Sequence, residues 1–110
     1  ELVEITSPVN YDKVDLSCLS RDVAEYLHTN ANKHEVVIKV NAEDKILING
    51  NRNQLYELVY NLCDNAIRYN RKGGNVTVTV KKEDENAVLS VADTGIGIPL
   101  KHQKRVFERF

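Results

Sequence analysis

No excess of positive charge runs through this sequence: 15 Lys and Arg stand against 16 Asp and Glu, a formal net charge of −1. So balanced a chain has no long-range field to draw it onto nucleic acid or an acidic membrane. A local basic patch at Arg68, Arg71 and Lys72 would be small. Long apolar runs are also missing. None approaches the roughly 20 residues of a membrane span, and no secretory leader is visible at Glu1. The expected setting is the cytoplasm, with no direct membrane contact, even if the parent protein is membrane-anchored. Cysteine is scarce, with Cys18 and Cys63 outside any CxxC motif and outside any Cys/His cluster of metal-ligand spacing. Each lies in a helical stretch beside apolar residues, and both are expected to be reduced core thiols. Internal repeats and low-complexity segments are absent. So are two familiar phosphate-binding loops, GxxxxGK[ST] and a GxGxxG that opens a helix.

What is present suits one small globular domain. Hydrophobic residues make up 42% and charged residues 28% of 110 positions, enough apolar material for a single core. Residues 1–16 lack sustained periodicity, and Pro8 and Asn10 break the local pattern. Val14 and Leu16 alternate with charge, as in a short strand. Ser17 is a candidate N-cap for a helix over about 17–32, where Leu19, Val23, Ala24, Leu27 and Ala31 recur at helical spacing. From His34 to Val40 the period falls to two, with Val36, Ile38 and Val40 on one face. Ile46-Leu47-Ile48 is a second short strand. Asn49-Gly50-Asn51 is a turn, and Asn51 can cap a helix over about 51–69. Leu55, Leu58, Val59, Leu62, Ala66 and Ile67 form the apolar stripe of that helix. Gly73-Gly74 then turns the chain. Val76, Val78 and Val80 alternate with polar residues, and Ala87, Leu89 and Val91 repeat the pattern beyond a polar link at 83–86. That predicts an antiparallel hairpin. One apolar sheet face calls for helices on that face alone. The fold class is therefore α+β, a two-layer sandwich of helices on a mixed sheet.

Three short segments carry chemistry. Asn61 and Asn65 are four apart, so they share a helix face, with Arg68 and Tyr69 one turn on. Asparagine is disfavoured inside helices because its amide competes for backbone hydrogen bonds. Two of them amid Leu62, Cys63, Ala66 and Ile67 suggest a polar stripe bordering a cleft. An amide oxygen is a hard neutral ligand that suits Mg2+; the plainer alternative is two solvent-facing residues. Asp93-Thr94-Gly95-Ile96-Gly97-Ile98-Pro99 follows an apolar strand directly. A carboxylate walled by Ile96 and Ile98 can accept a hydrogen bond from an amine such as that of adenine. The glycines permit close backbone approach, and Pro99 suits the first turn of a new helix. The plainer reading is an Asp-initiated turn. Arg105-Val106-Phe107-Glu108-Arg109-Phe110 fits an amphipathic turn at a lid edge, or simply a helix end.

Taken together, these segments resemble the catalytic domains of two-component sensor histidine kinases. Residues 61–69 resemble the N box, 93–99 the G1 box and 105–110 the F box, in the family's order and spacing. The resemblance covers nearly the whole chain from Val14 onward. It implies a Bergerat-type fold shared with gyrase, heat-shock chaperone and mismatch-repair ATPases, with residues 1–13 a linker from a dimerisation domain and 14–110 a partial ATP-binding domain. It implies ATP and Mg2+ as cofactors. Asn65 matches the Mg2+-binding asparagine, Asn61 and Arg68 positions near the phosphates, and Tyr69 a pocket aromatic. Asp93 matches the adenine-recognising carboxylate. Gly95, Ile96, Gly97 and Ile98 shape the pocket and start its lid, and Phe107 and Phe110 help to position that lid. The implied partners are a histidine-bearing dimerisation domain and a response regulator, with no nucleic acid.

One departure from the wider superfamily is informative. Its ATP-hydrolysing members carry a water-activating Glu where this chain has Asn61, and an amide is no general base at neutral pH. Phosphoryl transfer to an imidazole needs none. Glu57, one turn earlier, reads as a solvated residue. No segment resembles the family's H box, and His28, His34 and His102 read as structural or surface residues. The chain stops before a G2 box, so it is expected to be inactive alone and to leave an open sheet edge. Two alternatives share these boxes: a serine kinase of the anti-sigma-factor type, and a degenerate interaction module of the same fold.

Overall fold

A computed structural model describes residues 12–94 and 101–108. The strand expected at Val14 is β1 (Asp12–Asp15), which pairs antiparallel with β3 (Leu47–Gly50). Between them lie α1 (Leu16–Lys33) and β2 (Val37–Ala42). Helix α2 (Arg52–Arg68) follows β3, and then β4 (Asn75–Glu83), β5 (Asn86–Thr94) and β6 (Lys101–Glu108) complete the order. The main sheet runs β2-β4-β5-β6. β2 and β4 are parallel and the other pairs antiparallel, so the sheet is mixed as expected.

Register explains the core. Ile38 pairs with Val76, Val40 with Val78, and Ala42 with Val80. Val78 in turn faces Val91, and Val80 faces Leu89. With a side-chain period of two, these residues line one face. Val76, Val78, Val80 and Leu89 are fully buried. The helices bury Leu19, Val23, Leu27, Val59 and Ile67 in the same cluster. The hairpin closes with two residues, Asp84 and Glu85, since Glu83 pairs with Asn86. Asp84 takes φ 54, the hand of backbone twist a tight hairpin favours.

Local chemistry shifts several boundaries. The cap of α1 is Asp15, not Ser17: its Oδ1 accepts from the N–H groups of Ser17 and Cys18 at 3.0 and 3.2 Å. Ser17 is buried, and its hydroxyl donates to the Glu43 carbonyl at 2.6 Å. β2 begins three residues later than the pattern suggested, because His34 caps α1 and Glu35 turns the chain at φ 57. Asn51 caps α2 as read, accepting from the Gln54 N–H at 3.0 Å. Gly73 sits at φ 85, a conformation open to glycine. Its N–H donates to the Glu35 carbonyl, and the Gly74 carbonyl accepts from Val37, which starts the parallel β2–β4 pair.

The largest correction falls at the end of the chain. Residues 101–108 form a strand paired along β5, where the residue pattern suggested a turn or helix. β5 is buried on both faces, Val88 and Ser90 included, and a strand so buried needs partners on both sides. Among the described residues, no helix is long and apolar enough to cross a membrane.

Asp15→Ala should destabilise the fold by about 1 kcal/mol and Asp15→Asn by much less, because either carboxylate or amide oxygen can cap a helix. Urea denaturation followed by circular dichroism measures both.

Candidate functional site

A cleft of about 170 Å3 opens between α2 and the ends of β5 and β6. Helix α2 lines it with Leu62, Asn65, Ala66 and its C-cap residue Tyr69. These sit at i, i+3, i+4 and i+7, one stripe of a helix. β5 adds Val91 and Asp93, which share a face two residues apart, and β6 adds Gln103. Asn65, Tyr69 and Asp93, far apart in sequence, thus meet at one opening. Apolar walls come from Leu62, Ala66 and Val91, the last of the core stripes before the packing ends. Asp93 is half-buried, and Asn65 and Tyr69 are exposed. The volume is below the roughly 300–1,000 Å3 of a site that encloses a drug-sized ligand. It has room for a planar ring between apolar walls, with polar groups at the rim and any attached chain extending outward.

The remaining expected residues divide. Asn61 and Arg68 do not line the cleft. At about 100° per residue they lie roughly a quarter turn around α2 from its cleft-facing line. Both are exposed, and the Arg68 Nη2 donates to Asp64 Oδ2 at 2.6 Å. Phe107 is half-buried against the core and pairs with Ala87, six positions along β5 from Asp93. That is about 20 Å at strand rise, so β6 carries this side chain away from the cleft rather than over it. Gly95, Ile96, Gly97, Ile98 and Phe110 lie outside the described residues. Glu57 is exposed and apart from the cleft.

Two cleft or near-cleft residues escaped the sequence reading. Gln103 carries no motif signal, and only the pairing of β6 with β5 brings it in. Asp64 sits inside the N-box-like segment, yet is buried and joined to both Asn30 and Arg68. A charged residue in the midst of the apolar stripe was the available cue. The basic patch considered at Arg68, Arg71 and Lys72 is partly neutralised, since Lys72 pairs with Glu35 at 3.2 Å. His28 and His34 are exposed, the latter with Nδ1 at 3.0 Å from the Asn30 carbonyl.

The cysteines also divide. Cys63 is a core thiol, but Cys18 is exposed on the outer side of α1. Burial pushes the Cys63 thiol up to about 12 from 9.0.

Comparison with known proteins identifies the family. Residues 50–110 match the family described as histidine kinase-, DNA gyrase B- and HSP90-like ATPases. The sensor histidine kinase RppB of Synechocystis is 49% identical over 61 residues, 56% of this chain and 13% of that protein. Sporulation kinase C of Bacillus subtilis is 33% identical across 100% of this chain, and the chain spans 27% of it. Full-length ShkA, solved in complex with AMPPNP, superimposes with a TM-score of 0.73 at 26% identity, over 86% of this chain and 21% of its own. The fold is that of histidine kinase catalytic domains. This chain belongs to the histidine kinase-, DNA gyrase B- and HSP90-like ATPase family, and its similar relatives are sensor histidine kinases. It spans well under a third of either of those two relatives.

A thiol reagent should label Cys18 readily in the native protein and Cys63 only after denaturation, because the thiolate is the reactive form. Between pH 9.0 and about 12 the unfolded thiol ionises while the native one keeps its proton. The contribution of Cys63 to stability is therefore intact below that window and is lost as pH rises through it. Labelling stoichiometry in buffer and in urea, read by mass spectrometry, checks the first point.

Proposed function

We propose that this chain binds Mg·ATP in the cleft between α2 and β5. In the whole protein it would then donate the γ-phosphoryl group to a histidine on a separate dimerisation domain. The observation that carries the reading is the convergence of Asn65, Tyr69 and Asp93 on one apolar-walled opening. Asp93, at the strand end, would accept a hydrogen bond from the exocyclic amine of adenine. Leu62, Ala66 and Val91 would flank the ring, and Tyr69 would lie along its outer side. Asn65 offers a neutral amide oxygen at the rim, a donor suited to a Mg2+ that keeps most of its waters. When bound, the metal neutralises phosphate charge.

The phosphates would leave the small cleft toward the flank of α2, where Asn61 and Arg68 stand. Arg68 supplies charge there and Asn61 supplies hydrogen bonds. Neither can take a proton from water, so the set favours transfer to a nucleophile that is already neutral, such as an imidazole nitrogen. The segment ahead of β1 would connect to the dimerisation domain, Asp12 and Lys13 of the expected linker being part of β1, and a response-regulator aspartate would receive the phosphoryl group next. The AMPPNP bound by full-length ShkA supports the choice of an adenine nucleotide.

Titration calorimetry of the chain with Mg·ATP and Mg·ADP tests the proposal. Saturable binding is expected, weakened about ten- to a hundredfold by Asp93→Asn, the loss of a charge-assisted hydrogen bond. Asn65→Ala should remove most of the Mg2+ dependence. Absence of binding to the folded chain, or binding indifferent to Asp93→Asn, would overturn the assignment.

A further inference from the structure

Asp64 is the one carboxylate buried in the helical layer among the described residues. Its side chain is 12% exposed, and both oxygens are engaged. Asn30 Nδ2 of α1 donates to Oδ1 at 3.4 Å, and Arg68 Nη2 donates to Oδ2 at 2.6 Å. A buried carboxylate is costly unless it is paired. A purely structural solution would be an apolar residue, as at Leu62 and Ile67 on the same helix. The bond to Asn30 also ties Asp64 to a second helix, so the carboxylate is a fixed point rather than a mobile partner.

Arg68 is held at only one end. Its side chain is 58% exposed, and a guanidinium has five N–H donors in a rigid fork. One of its nitrogens meets Asp64, which leaves the other side of the fork toward solvent. Arg68 is next in sequence to Tyr69 and one turn beyond Asn65, both of which line the cleft. An unanchored arginine loses much rotamer freedom on gripping an anion, whereas an anchored one loses less. Resting on the nucleotide reading above, we propose that Asp64 is a positioning residue. It holds the Arg68 guanidinium at the phosphate end of the cleft, and so sets how strongly the chain prefers a triphosphate over a diphosphate.

The test is a double-mutant cycle on the affinities for Mg·ATP and Mg·ADP. The variants are Asp64→Asn, Arg68→Gln and the double replacement. Asp64→Asn keeps the side-chain volume and an acceptor for Asn30, and thermal unfolding checks that it folds. The ATP-over-ADP preference should fall about fivefold in Asp64→Asn. It should fall no further when that change is added to Arg68→Gln. Arg68→Lys, which cannot span two anions with a planar fork, should mimic Asp64→Asn and carries the test should that variant unfold. A merely structural role for Asp64 would weaken both nucleotides together and leave their ratio alone; that result overturns the proposal, as does an effect that persists without Arg68. A folded wild-type chain that binds neither nucleotide removes the nucleotide reading and this inference with it. Wild-type binding with an unmoved ratio removes this inference only.

Discussion

The packing of α2 on the apolar face of the β4–β5 hairpin is the constraint on which everything else rests. Val59 and Ile67 meet the sheet through the same helix that presents Asn65 and Tyr69. On β5 the period of two carries Leu89 and Val91 into the core and places Asp93 just beyond it. The cleft is the place where a helix stripe and a strand stripe both run out of apolar partners. Its polar groups are therefore aimed by the hydrophobic core itself, not by flexible loops.

Because packing and site share these two elements, much of both was legible in the residues. The period-two alternation of Val76, Val78 and Val80 specified a half-buried strand, and the Leu55–Ile67 stripe specified the helix that covers it. Asn65 and Asp93 stood out because each is polar at a place where the neighbouring pattern is apolar. What escaped notice depended on tertiary partners. Ser17 looks like a cap from composition, but the Glu43 carbonyl claims its hydroxyl and Asp15 takes over the helix end. Cys18 sits beside Leu16 and Leu19 in sequence, yet helical geometry turns it outward. Gln103 has no pattern of its own and reaches the cleft only through strand register.

The strand at 101–108 shows the same competition on a larger scale. Phe107 and its charged neighbours have no strong intrinsic preference for helix or strand. β5 does have a preference of its own: it is buried on both faces and bonded to β4 along one side, so its other side presents a full row of backbone donors and acceptors. Covering that row outweighs the weak local preference of the segment that covers it. Phe107 then gains burial against the core as part of the same choice. Among the described residues β6 is the end strand of its sheet and bears the exposed Lys104 and Arg105, and charge on an edge strand discourages further pairing.

The polar groups around the cleft are of unequal kinds, and the inequality has a chemical sense. Asp93 is ionisable and stands in the cleft, where an amine would be read. Asn61 and Asn65 are neutral amides, and on the proposed reading phosphate and metal charge would gather near them. A second carboxylate at either position would repel the phosphates and, at Asn61, would offer a base to water. Asp64, the carboxylate that does lie close by, is kept from acting in that way. It is buried, its two oxygens are committed to Asn30 and Arg68, and its charge is matched by the guanidinium it holds. On the proposed reading, Arg68 brings a cation to the flank of α2 while Asp64, the carboxylate beside it, is committed, a combination that would suit handing a phosphoryl group to another nucleophile better than spending it on water.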